Sequence, residues 1–293
     1  MTTAQPPVVV ISNPASGNSS DDSELRSAFE PYEVSWSPTT EDDPGKGQAS
    51  AAVSNDAETV VVCGGDGTVR AVIESLAGTT TVLGIVPLGT GNLLAHNLGL
   101  ATKLDAIPDA IGGPVRQLDL GTVNGERFAV MAGAGFDALM IRDARPTVKR
   151  RLGSVAYVLS AVKNVPAKLT TIMLEVDGQQ VWRGRTVMVL VGNCGMVSGG
   201  LEVFPDARPD DGVLDVAVLS ATRVNEWCSV LWRLIRKHPQ RQELVRRFTG
   251  RSINVVLRQP MPYELDGEDR DPVTTLTFGI EPLALRVRTS ATS

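Results

Sequence analysis

The chain has 293 residues, of which 42% are hydrophobic; that is enough to bury a sizeable core and suggests two domains rather than one. A formal net charge of −5 argues against a strongly basic nucleic-acid binder, so no nucleic-acid partner is expected. The three cysteines, Cys63, Cys194 and Cys228, lack CxxC spacing and read as reduced thiols of a cytosolic protein, not as a disulfide frame or a zinc site.

Met1 to Pro7 is polar and leads straight into a strand, so no secretion signal is expected. No apolar run approaches the ~20 residues that span a bilayer, and any membrane contact is expected to be peripheral. In chain order, Val8 to Ile11 is a β-branched strand run, Tyr32 to Trp36 a weaker one, and Gly47 to Ser54 a short Ala-rich helix. Thr59 to Cys63 and Val82 to Val86 read as buried strands. Between them Val69, Val72, Ile73 and Leu76 fall at i, i+3, i+4 and i+7, one apolar stripe on a helix. Alternating strands and helices imply βαβ units and a largely parallel sheet.

After about Arg116 the pattern changes. Leu118 to Val123, Arg127 to Met131, Thr170 to Val176, Val181 to Val191, Val213 to Leu219, Ile253 to Leu257 and Thr274 to Phe278 read as strands, with Asp177-Gly178 as a hairpin signal. Helices are expected over roughly Ser154 to Val165 and Val224 to Arg247. The expected architecture is an α/β N-terminal nucleotide-binding domain, residues 1–120, followed by a mainly antiparallel β domain, residues 121–281. The C-terminal segment 282–293 is a candidate to complete the first.

The sharpest feature is Gly64-Gly65-Asp66-Gly67-Thr68, set between a buried strand and an amphipathic helix. Glycines let the backbone approach an anion with no Cβ in the way, and a helix N-terminus offers free N–H groups and a positive dipole end. Asp66 would repel a phosphate, which makes sense if it holds a magnesium ion or a substrate hydroxyl beside one. The plainer alternative is a structural turn with Asp66 as helix N-cap. A second loop, Pro87-Leu88-Gly89-Thr90-Gly91-Asn92, follows the next strand, and a third, Asn13-Pro14-Ala15-Ser16-Gly17, follows the first. All three would leave the carboxyl ends of parallel strands, where open α/β sheets bind ligands. Neither a Walker A motif nor a GxGxxG fingerprint is present.

This set of motifs resembles the diacylglycerol kinase catalytic family, which includes bacterial lipid kinases, sphingosine kinases and ceramide kinases. The resemblance continues through Asp119-Leu120-Gly121, Gly133-x-Gly135-Phe136-Asp137, Gly192-Asn193, Gly199-Gly200, Pro205-x-Ala207, Asp211-Gly212 and Asp266-Gly267-Glu268. It implies an ATP- and Mg2+-dependent kinase that phosphorylates a lipid hydroxyl, diacylglycerol-like or sphingoid-like. ATP would lie over the glycine loops at the domain cleft, with a homodimer among the implied assemblies. The ATP contacts it implies are Asn13, Pro14, Ala15, Ser16 and Gly17; Gly64, Gly65, Asp66, Gly67, Thr68, Val69 and Arg70; and Gly89, Thr90 and Asn92. To these it adds a threonine ahead of the GGDG strand, taken as Thr40 with Thr39 as the alternative. Asp211, with the backbone carbonyls of Arg208 and Val213, matches a structural magnesium site; from the residues alone Asp211-Gly212 is an ordinary turn. Glu268 is implied as proton acceptor, with Asp266 as its rival across Gly267 and Asp66 next in line. Three positions depart from the family pattern: Leu93, where many bacterial members carry Asp, His96, where many are basic, and Asn18, where Lys or Arg is frequent.

Val224 to Arg251 is the candidate for membrane contact. Trp227, Val230, Leu231 and Leu234 share a helical face, and Arg233, Arg236, Lys237, Arg241, Arg246, Arg247 and Arg251 make the segment basic. The bland alternative is a helix packing Trp227 on its own sheet. A second basic cluster, Arg142, Arg145, Lys149, Arg150 and Arg151, is a candidate for the same surface. Two rival functions stay open: an NAD kinase or phosphofructokinase, which also use GGDG, and a catalytically silent lipid- or nucleotide-binding protein.

Overall fold

Val8–Ser12 (β1), Thr59–Gly64 (β3) and Val82–Pro87 (β4) are almost entirely buried, without polar alternation. A strand apolar on both faces must be covered on both faces, which is the condition of a parallel sheet. The computed structural model, which describes residues 8–14, 19–135, 169–197, 201–221, 223–236 and 243–290, pairs β1 parallel to β3 and β3 parallel to β4. Ser35–Pro38 (β2) lines the outer side of β1, also parallel, and Pro38 closes it as an edge strand can. The chain divides into two compact units, residues 1–120 with 282–293, and residues 121–281.

In the first unit, the four residues of the predicted stripe, Val69, Val72, Ile73 and Leu76, are all buried on the helix Asp66–Leu76 (α3). Ala49 and Ala52 bury the small-residue face of Lys46–Ser54 (α2), and Ser50 and Ser75 meet at 2.9 Å between α2 and α3. The helix Ser19–Phe29 (α1) is unannounced by periodicity, because from residue 22 on only Leu25 and Phe29 of its polar run are buried. Phe29 also explains why β2 starts later than expected. Its ring makes edge contacts with Tyr32 and Trp36 at 6.4 and 5.4 Å, and Tyr32 is spent closing α1 by donating to the Phe29 carbonyl. Leu93–Asn97 (α4), a 3-10 turn at Lys103–Ala106 and Ile107–Gly112 (α5) complete the helices described here. A Cβ on Gly84 of β4 would collide with the Ala110 carbonyl, so glycine is what lets α5 lie so close.

The second unit is antiparallel. Val115–Val123 (β5) turns into Glu126–Phe128 (β6) through Asn124 and Gly125, both at positive φ (49° and 89°) as a two-residue hairpin turn requires. The strand expected over Arg127 to Met131 is broken, and Met131–Ala134 (β7) begins separately, because the amides of Ala129, Val130 and Met131 all bond the Asp266 carboxylate. Thr170–Val176 (β8) and Gln179–Thr186 (β9) form the predicted hairpin, with Asp177 at φ 50° and Gly178 at 78°. The expected run Val181 to Val191 also splits. The Thr186 hydroxyl bonds the Met188 carbonyl, Val187 donates to Leu219, and Met188–Gly192 (β10) changes partner. Short strands Met196–Val197 (β11) and Leu201–Glu202 (β12) pair with each other. Leu214–Leu219 (β13) lies between β10 and Val245–Gly250 (β14). Ile253–Leu265 (β15) pairs β8 with its first half and β7 with its last, and its register against Glu268–Arg288 (β16) shifts around Pro260 and Pro262, which have no N–H to give. Phe128 and Phe278 meet edge to face at 6.3 Å in the core.

The helix expected over Val224 to Arg247 ends at Ile235 (Val224–Ile235, α6). Arg246 and Arg247 stand instead on β14, opposite Val218 and Ala217 of β13. The expected helix Ser154 to Val165, the basic cluster around Arg142 to Arg151, and Lys237 and Arg241 lie outside the described residues.

The C-terminal segment supplies the last strand of the first unit, with Val287 parallel and opposite Leu83 of β4. Leu283 sits at φ +50°, a left-handed conformation costly for a leucine, and its amide donates at 2.7 Å to Asp119, which is 1% exposed. Arg288 reaches Gly113 O and the Thr59 hydroxyl, and Thr289 donates to Pro114 O. A charged acceptor lost from a buried site costs roughly 1.5–3 kcal/mol, so Asp119→Ala is expected to lower unfolding stability by about that much, measured by urea denaturation, with the larger share lost from the first unit's signals.

Candidate functional site

Three predicted loops do leave the carboxyl ends of adjacent parallel strands in the first unit. Asn13 follows β1, and its Nδ2 donates to the Thr68 hydroxyl at 3.3 Å, linking the β1 loop to the start of α3. Pro14 is exposed beside it, and Ala15, Ser16 and Gly17 lie outside the described residues. Gly64 and Gly65 run into α3, whose N-cap is Gly65 with no capping side chain, and whose first helical bond is Val69 N to Gly65 O. The amides of Asp66, Gly67 and Thr68 therefore precede the helical ladder, as in any helix first turn. Thr68 and Val69 are buried and Arg70 is half-buried.

The second glycine loop is held shut by one side chain. Asn92, at φ 48°, accepts from Gly89 N (3.0 Å) and donates to Gly89 O (2.8 Å), leaving Thr90 exposed at the tip. The two loops touch backbone to backbone. A Cβ on Gly65 would stand 3.3 Å from Gly89 Cα, and one on Gly89 only 2.5 Å from Gly65 Cα. Thr39 is buried, with its amide on Ser12 O, whereas Thr40 is exposed and uses its hydroxyl to accept from Asp43 N.

Asp66 joins these loops. Its Oδ1 accepts from Leu93 N at 2.6 Å, so this carboxylate caps α4, the helix of the neighbouring loop. Burial pushes its carboxyl above the ordinary range, against the backbone N–H bonds from Leu93 and Asn92 and the charge of His96. Such an acid, next to two glycine backbones and a helix N-terminus, can bond a cation or a hydroxyl beside a bound phosphate.

The Asp-Gly-Glu turn belongs to the second unit, and its two carboxylates do different work. Asp266, 6% exposed at φ 47°, accepts from Ala129 N (2.7 Å), Val130 N (2.9 Å) and Met131 N (3.0 Å), while its own amide donates to Met131 O. Glu268, with its side chain 33% exposed, meets Arg270 Nη2 at 3.3 Å. Arg270 in turn grips Glu126 through Nε and Nη2 at 2.8–3.0 Å. Sequence reasoning missed Glu126 and Arg270, which lie 144 positions apart; the Asn124-Gly125 turn was the available signal that β6 folds back on β5, which itself pairs with β16.

At the Asp211-Gly212 turn, Asp211 Oδ1 accepts from Val213 N at 3.1 Å. Asp215 nearby is pushed up to about 6 by burial, then by the charges of Asp211 and Asp206, with Arg247 opposing. Concentrated negative charge and hard oxygen donors suit a divalent cation. Among the described residues no three His, Cys, Asp or Glu side chains gather to hold one, so magnesium here would rest on Asp211, the carbonyls of Arg208 and Val213, and water. On the face of this sheet that carries Asp215, α6 roofs a mostly apolar pocket lined by Trp227, Val230 and Leu234 from the helix and by Met188, Leu219, Val245 and Arg247 from the strands.

The contrast between the two turn carboxylates is measurable without substrate. Asp266→Ala removes the acceptor of three buried amides and is expected to lower the melting temperature sharply, by roughly 3 kcal/mol or more in stability. Glu268→Gln is expected to leave it within about 0.5 kcal/mol, both read by thermal denaturation.

Residues 7–123 match the diacylglycerol kinase catalytic domain, and residues 130–289 the YegS C-terminal NAD kinase beta sandwich-like domain. The diacylglycerol kinase of Bacillus subtilis (strain 168) is 29% identical over 270 residues, 88% of each chain. A probable YegS-like lipid kinase of Pectobacterium atrosepticum is 32% identical over 286 residues, 93% of each chain. In fold, the chain resembles a crystal structure of a putative diacylglycerol kinase from Bacillus anthracis str. Sterne, with TM-score 0.79, 23% identity, and 100% and 99% of the two chains covered. It also resembles an NAD kinase from Archaeoglobus fulgidus in complex with ATP, with TM-score 0.57, 13% identity, and 97% and 94% covered. With both halves matched in order, an α/β first unit and an antiparallel β second unit, this chain belongs to the diacylglycerol kinase catalytic-domain family of lipid kinases.

Proposed function

We propose that the protein transfers the γ-phosphoryl group of ATP to the hydroxyl of a membrane lipid, diacylglycerol-like or sphingoid-like. The observation that carries this reading is the contact of the Gly65 and Gly89 backbones beneath the first turn of α3, with the Asp66 carboxylate bonded across it. Backbone amides and a helix N-terminus bind phosphate oxygens without a side chain between. Asn13 and Thr68 fix the third loop against the same helix start. The lipid hydroxyl oxygen attacks the γ-phosphorus, the bond to the β–γ bridging oxygen breaks, ADP leaves, and the hydroxyl proton passes to a carboxylate, for which Glu268 is the candidate. Asp266 is a poor acceptor because three buried amides already use its lone pairs. Magnesium, when bound, would neutralise phosphate charge. Such transfer depends mostly on positioning and charge neutralisation.

The pocket under α6, walled by Trp227, Val230, Leu234, Met188, Leu219 and Val245 with Arg247 among them, gives the second unit an apolar surface in keeping with a lipid acceptor. The outer side of α6 carries Trp232, 52% exposed, with Arg236 6.0 Å from its ring. An exposed tryptophan beside a basic residue suits an anionic headgroup layer. No helix among the described residues is long and apolar enough to cross a membrane.

Phosphate transfer from labelled ATP, assayed over diacylglycerol, a sphingoid base, a polyprenol and a glycolipid with NAD as control, tests the function. Label in NAD alone would overturn the reading. In the same assay Glu268→Gln is expected to lower kcat by ~10²–10⁴-fold with little change in ATP affinity; a change under tenfold would remove Glu268 as the acceptor. For the membrane face, Trp232→Ala with Arg236→Gln is expected to weaken binding to anionic vesicles by roughly tenfold or more at low salt. Equal sedimentation of variant and wild type would leave α6 as a packed helix only.

A further inference from the structure

Arg270 stands between two carboxylates and treats them unequally. Its Nε is 3.0 Å from both Glu126 oxygens and its Nη2 is 2.8 Å from Glu126 Oε2, a side-on pair with two donors engaged. Nη1 is taken by Asp269 O at 2.9 Å. What Arg270 gives Glu268 is a long contact, 3.3 Å from Nη2 to Oε2.

The surroundings fix this partition. The β5–β6 turn is tied to β16, because Asn124 N donates to Thr277 O, Thr277 N donates to Asn124 Oδ1, and Asn124 Nδ2 reaches Thr275 O. That anchors Glu126 two residues later. Buried Tyr263, opposite Arg270 on β15, hydrogen-bonds Glu126 as well. A guanidinium presents one Nε–Nη2 edge, and a carboxylate that takes it bidentately has its lone pairs committed and binds a proton poorly.

We propose that Glu126 is a positioning residue for the phosphoryl-transfer reaction: it holds the Nε–Nη2 edge of Arg270 away from Glu268. Arg270 then gives Glu268 a single long contact and does not lock it into a two-bond pair. This rests on the reading of Glu268 as proton acceptor. Without Glu126, Arg270 turns to the carboxylate that remains, two residues along its own strand, and occupies the group that must take the proton. Glu126 thus protects the acceptor from a neighbour of opposite charge, and its removal is harmful only while Arg270 is present.

The test uses Glu126→Gln, Arg270→Gln and the double variant in the full chain. Turnover of Glu126→Gln is expected to fall by at least about tenfold with the KM for ATP unchanged. Arg270→Gln is expected to fall less, and the double variant to recover to the level of Arg270→Gln. A pair serving only stability would instead lower the melting temperature of all three variants and leave kcat per folded enzyme unmoved. A double variant no better than Glu126→Gln would overturn the proposal. A crystal structure of Glu126→Gln decides it independently of any kinase assay: Arg270 is expected within two hydrogen bonds of Glu268, and an Arg270 left in its present place would overturn the proposal. Failure of the underlying reading looks different, as wild-type enzyme without lipid phosphorylation or as fully active Glu268→Gln.

Discussion

Backbone must meet backbone at Gly65 and Gly89, and much of the first unit can be read as the means of allowing it. A side chain on Gly89 would strike Gly65 Cα and the Asn92 amide oxygen, and one on Gly91 would strike the Asp66 carboxylate. Once the loops are that close, Asp66 can reach Leu93 N, Asn92 can close its own loop, and α3 and α4 begin side by side. The strands beneath supply the rigidity, since β3 and β4 are buried along their whole length. Anion-binding amides placed this way are preorganised, so little ordering cost remains when a ligand arrives.

The acidic residues of these motifs differ less in type than in what surrounds them. Asp119 and Asp266 are almost wholly buried and accept from backbone amides, Leu283 N at Asp119 and three amides at Asp266, so each fixes a chain crossing or a turn. Asp66 is half-buried and shares its oxygens between structure and the open side of the loops. Glu268 faces a guanidinium already engaged elsewhere. Burial and the count of backbone donors thus sort structural carboxylates from reactive ones, which residue type and spacing cannot do.

What could be read in the sequence follows the same physics. The α3 stripe was legible because it keeps one period over its length, and the strands β1, β3 and β4 because each is an unbroken, mostly β-branched apolar run. Helix α1 was not, since two buried residues on a polar segment make no stripe. The runs around Arg127 and Val181 looked continuous, yet Asp266 and Thr186 redirect the backbone within them through bonds from distant sequence. Arg246 and Arg247 extended an apparent helix only because basic residues fit helix and strand equally well. At the site, the order of the glycine motifs was plain. The contact between Gly65 and Gly89, the three amides on Asp266 and the Glu126–Arg270 pair are tertiary facts with no local signature.

The strand β16 begins at Glu268 in one unit and ends at Arg288 in the other, where Val287 lies along β4. During synthesis, then, β1, β3 and β4 leave the ribosome long before the strand that covers the outer edge of β4. Until unit 2 has been made, an apolar strand with open N–H and C=O groups faces solvent or whatever chaperone reaches it, the kind of edge that recruits other chains. The nascent first half is therefore the stage at which this protein is most exposed to aggregation, and a ribosome stalled within unit 2 would release a fragment unable to finish its own sheet.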